Sequence, residues 1–105
     1  MDKIELELYR LQYDVNKAVI TGDNAALARA QYEQKLYRDN LLHHISCIGD
    51  WRLMKLLYCR YIKGMKWCVI SDELGYENRY IYKLRRKALE ALRRVECNEK
   101  TAVEY

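Results

Sequence analysis

The chain has 105 residues, no proline, four glycines, 50% hydrophobic and 32% charged residues. That is too apolar for a disordered chain and too poor in turn formers for a sheet protein, so the composition favours an all-α fold. The net charge of +4 is unevenly held. Residues 1–50 carry six Lys/Arg against eight Asp/Glu, leaving −2, and residues 51–105 carry thirteen against seven, leaving +6. No run of about 18 apolar residues predicts a membrane span.

The N-terminus MDKIELELYR lacks a signal-peptide core, and cysteines read as reduced thiols make a cytoplasmic location the expectation. Ten tyrosines and no phenylalanine supply rings with polar tips, suited to half-buried helix faces. In residues 2–20, Ile4, Leu8, Leu11, Val15 and Ala18 alternate four- and three-residue steps, the narrow seam of a coiled coil. Thr21-Gly22-Asp23-Asn24 interrupts it: glycine closes one helix, and Asp23 or Asn24 caps the next. Residues 24–48 repeat the spacing through Leu27, Ala30, Tyr37, Leu41, His44 and Ile48, with polar Gln34 between. Two seams over a short turn predict a helical hairpin, or a coiled coil that meets a second copy in a homodimer.

Gly49 breaks the chain again, and Asp50 is placed to cap a helix over 51–62 with apolar positions Trp51, Met54, Leu57, Tyr58 and Tyr61. Lys63-Gly64 ends it. A helix over 67–74 carries Trp67, Ile70 and Leu74, and one over 78–95 carries Ile81, Leu84, Ala88, Leu92 and Val95. Residues 96–105 are polar and read as a flexible tail. The domain division expected is 1–48 for the hairpin, 51–95 for a three-helix unit, and 96–105 for the tail.

Cys47, Cys59, Cys68 and Cys97 form no CxxC pair. His43 and Cys47 share a helical face, but two ligands fall short of a structural zinc site, so no metal or cofactor is expected. The thiols read as reduced and buried or half-buried. His44 reads as a packed or rim histidine. No phosphate-binding glycine loop or paired-carboxylate constellation points to an enzyme, so there is no catalytic residue to assign.

The segment 61–94 has the pattern of a helix-turn-helix. Ser71 is the small residue where two helices approach, Gly75 makes the turn, and Ile70, Leu74, Ile81 and Leu84 form the shared core. Tyr76 takes a turn position usually held by an aliphatic. Trp67, by its interval from Ile70 and Leu74, points to the core. Asn78, Arg79, Tyr82, Lys83, Arg86 and Lys87 fall on the outer face of the second helix, a basic and amide-bearing surface suited to double-stranded DNA.

ISDELG at 70–75 and RRKALEAL at 85–92 resemble region 4 of bacterial sigma factors. CRYIKGMKW at 59–67 and LGYENRYIYKLRRKAL at 74–89 look closer still to small sigma-region-4-like regulators of phages and prophages of Gram-positive bacteria. The resemblance covers residues 51–93. It implies a transcriptional regulator with base readers at Asn78, Arg79 and Lys83, Tyr82 beside them, and Arg86 and Lys87 along the phosphates. Lys63 and Lys66 complete the phosphate set. The resemblance also opens an alternative, an adaptor that docks on RNA polymerase.

Two positions depart from that family. Its helix caps are Ser or Thr, and here they are Lys66 and Glu77. Lys66 is then expected to serve a phosphate, because the first helix of the motif crosses the DNA backbone. Asn78 is expected to cap the recognition helix one residue late, which would remove it from base reading.

Overall fold

The computed structural model describes residues 2–103, with side chains through residue 98. It is all-α. Among the described residues, five α-helices and one π-helical turn run in the order α1 (Lys3–Thr21), α2 (Asn24–Ser46), α3 (Trp51–Leu57), the π-turn (Tyr58–Ile62), α4 (Trp67–Leu74) and α5 (Asn78–Val103). They fall into two compact units, Met1–Asn40 and Leu41–Tyr105.

The first unit is the hairpin. Asp2 caps α1 by accepting from the Glu5 N–H at 2.8 Å, and Gly22 closes it at φ 70°. The Asp23 carboxylate then accepts from the Ala26 N–H at 3.1 Å and caps α2. Leu11, Ala18 and Ala30 are buried on the seam, and Gln34, its polar member, donates to Gln12 Oε1 across the two helices at 2.9 Å. The seam that could have met a second copy therefore faces inward. On the surface of α1, Arg10 bridges Glu7 at 2.6 Å and Asp14 at 3.1 Å, and its hydrogen bond holds the Glu7 carboxyl below the usual carboxylate range.

The boundary between the units lies inside α2, not at the Gly49 break. The last turns of α2 belong to the second unit because Leu41 and Ile45 are buried there and His44 Nδ1 lies 3.9 Å from the Glu96 carboxylate on α5. Asp50 caps α3 as expected, accepting from the Arg52 N–H at 3.0 Å.

The buried face of α3 differs from the expected one. Leu57 and Tyr61 are buried as expected, but Trp51 is 67% exposed and Tyr58 is exposed, and Leu53 and Leu56 join Leu57 in the core. The run WRLMKLLYC offers apolar residues at more than one helical phase, so spacing alone does not select the face. The helix then closes in the π-turn, where the Lys63 N–H donates to the Tyr58 carbonyl at 3.0 Å, five residues back, and Cys59 and Tyr61 are buried.

Helix α5 also runs on past 95 to Val103. No glycine or proline follows Val95 to stop it, and the Arg94–Glu90 pair at 2.8 Å supports its surface. Residues 104 and 105 of the expected tail lie outside the described residues. Of the cysteines only Cys59 is buried; Cys47, Cys68 and Cys97 are exposed, since each falls on the outer side of its helix or beside a break.

Candidate nucleic-acid interface

The turn between α4 and α5 is fixed by three residues. Gly75 adopts φ 72°, ψ 24°, the left-handed conformation that ends a helix without a Cβ clash. Its N–H and that of Tyr76 both reach the Ser71 carbonyl, the latter at 3.1 Å. Ser71 is buried, and its hydroxyl donates to the Tyr76 carbonyl at 2.5 Å. The small side chain thus allows close approach and also satisfies an otherwise orphaned turn carbonyl. Beneath the turn, Ile70, Ile81 and Leu84 are buried and Leu74 is half-buried.

The start of α5 corrects the expected capping. The Ile81 N–H donates to the Glu77 carbonyl at 3.0 Å, which makes Glu77 the cap position and Asn78 the first helical residue. A residue already inside the helix cannot cap it, so the Asn78 side chain is not committed to that role. Lys66 does occupy the cap of α4, and its side chain makes no capping hydrogen bond.

Trp67 is half-buried and not a core residue. The guanidinium of Arg60 lies 5.2 Å from its ring centroid and that of Arg85 lies 5.0 Å away. Arg60 also donates to the Met65 carbonyl at 2.9 Å. Each cation–π contact is worth about 0.5–2 kcal/mol according to its desolvation. Together they brace the π-turn, the start of α4 and α5 against one indole. Arg85, half-buried, is therefore held against the protein. Nothing in the sequence marks this brace, because its members lie far apart in the chain.

Asn78, Arg79, Tyr82, Lys83, Arg86 and Lys87 are all exposed, as are Lys63 and Lys66. Asn78, Tyr82 and Arg85 share a shallow cleft with Trp67, Cys68 and Ile81, so the beginnings of α4 and α5 meet at one place. Arg79, Lys83 and Arg86 lie on the side of α5 opposite buried Ile81 and Ala88, with Tyr82 and Lys87 at the margins. Lys63 instead turns toward the Tyr58 ring, 6.0 Å from its centroid. Cys68, expected to be buried or half-buried, is exposed on the cleft.

Between residues 78 and 89 there is no Asp or Glu; the first acid, Glu90, is paired with Arg94. The uncompensated positive face therefore covers about 18 Å of helix. Arg79–Lys83, Lys83–Lys87 and Lys83–Arg86 are like-charge neighbours, which together cost the helix about 1 kcal/mol. An anionic partner would remove that cost. Among the described residues no group of three or more His, Cys, Asp or Glu could hold a metal, and no helix is long and apolar enough to cross a membrane. No protein-family model matches the chain, and neither a curated protein nor a solved structure matches it.

Proposed function

We propose that the protein is a sequence-specific double-stranded DNA-binding regulator of the phage or prophage type, a relative in design of sigma region 4. It lays α5 in the major groove, which admits one α-helix. The observation that carries this reading is the exposed Arg79–Lys83–Arg86–Lys87 face, free of acids, on a helix set by a left-handed glycine turn. Such a face has an electrostatic cost that phosphates would offset.

Binding involves no catalysis and no cofactor. Lys63, Lys66, Arg86 and Lys87 anchor phosphates, and the open start of α4 adds the positive end of a helix beside Lys66. Arg79 and Lys83 read the O6/N7 edge of guanine, Asn78 reads adenine, and Tyr82 packs beside them. Selection of bound sites from random duplexes tests this. Wild type should enrich a short site containing guanine, and Arg79→Ala with Lys83→Ala should lose the enrichment while keeping weak general binding.

A second reading, docking on RNA polymerase, draws on exposed Trp51 and Tyr58 of the same unit, large rings of the kind that anchor protein interfaces. No site enrichment, together with polymerase capture lost on Trp51→Ala, would favour it.

A further inference from the structure

Helix α1 carries a second apolar stripe, on the side away from α2. Leu6, Tyr9, Tyr13 and Ile20 are 55%, 70%, 59% and 84% exposed. With Asn16 they follow alternating three- and four-residue steps, the a and d positions of a heptad frame. The inward seam through Leu11 and Ala18 lies half a turn away, so one helix bears two coiled-coil faces and the hairpin uses only one. Four large apolar side chains in a line are an unusual surface for a lone chain.

The charges beside the stripe identify the occupant. In this frame Glu5 and Gln12 are g positions, and Lys3, Arg10 and Lys17 are e positions. Parallel helices pair g with the e position five residues on in the partner, which sets Glu5 beside Arg10, itself bridged to Glu7 and Asp14 of its own helix, twice by symmetry. Antiparallel helices would bring the three basic e positions against one another. Asn16 meets its own copy only in the parallel, in-register arrangement. The helix is already formed against α2, so little order has to be imposed on association.

We infer that the protein forms a parallel homodimer through the outer face of α1, the Leu6–Tyr9–Tyr13–Ile20 stripe meeting the same stripe of a second copy. Glu5–Arg10 pairs between the copies fix its orientation. This contact is independent of whether α5 enters a groove.

Sedimentation equilibrium on the full chain tests it. Wild type should dimerise at micromolar concentrations, and Tyr13→Glu, at an exposed position, should be monomeric with unchanged helical circular dichroism. Glu5→Arg and Arg10→Glu each turn two attractive pairs into repulsive ones and should weaken the dimer about tenfold. Mixing the two variants should restore it, because the heterodimer has two opposite-charge pairs; a folding defect would not be rescued by mixing. A wild-type monomer up to about 100 µM overturns the inference. So does a dimer indifferent to Tyr13→Glu, one that Arg10→Glu strengthens, or a mixture that fails to pair.

Discussion

Replacing Lys66 with serine separates stability from binding at the start of α4. Lys66 has φ −74° and ψ 150°, the extended geometry of a cap residue, and its side chain forms no capping bond. Serine fits that backbone unchanged, and its hydroxyl can accept from an N–H in the first turn. The cap should add about 1 kcal/mol. Removing a cation from the positive end of the helix adds about 0.3–1 kcal/mol, at the low end for an exposed lysine. The total of about 1.3 kcal/mol corresponds to a rise of about 5–10 °C in Tm for a domain of this size. If Lys66 neutralises a phosphate, the same change removes one counterion-release contact, worth about eightfold in affinity at 0.1 M salt. Thermal melting by circular dichroism and fluorescence anisotropy on a labelled duplex read the two effects separately. An unchanged or lower Tm refutes the capping argument. Equal affinity refutes the phosphate role.

Gly75→Ala should cost about 1–2 kcal/mol in chemical denaturation through its positive φ alone, since a Cβ there meets nothing within 4 Å, and Gly75→Asn should recover part of it. Trp67→Leu removes the indole that Arg60 and Arg85 share and should lower stability by about 1–3 kcal/mol; an unchanged urea midpoint would show that the brace carries no energy. Arg79→Ala should reduce discrimination at one base pair by about 1–3 kcal/mol, whereas Lys87→Ala should weaken all duplexes alike, which competition binding distinguishes.

Much of the fold was legible because its punctuation is chemical. Gly22 and Gly75 at left-handed φ, with caps at Asp23 and Asp50, set the helix boundaries expected from the sequence. The hairpin seams were readable because their spacing is strict over several turns, but Leu41 and His44, read as part of the second seam, belong to the second unit. In α3 the leucines crowd two phases, so the orientation of Trp51 and Tyr58 was not readable; the π-turn that follows rests on a backbone bond no side chain announces. The exposed face of α5 followed from its clear amphipathic period. The same period leaves Arg85 off that face, but the indole it stacks on was not readable, because Trp67 is distant in the chain. The second stripe of α1 was present in the sequence too, but which of two stripes is buried depends on the pairing of α1 with α2.

The central claim is that the outer face of α5 meets a DNA duplex, and binding measured against salt tests it most directly. With Lys63, Lys66, Arg86 and Lys87 each neutralising one phosphate, the slope of log Kobs against log salt should be about −3.6, and each alanine substitution among them should reduce its magnitude by about 0.9. A slope near zero, or no duplex binding at about 50 mM salt, where such contacts are strongest, would contradict it.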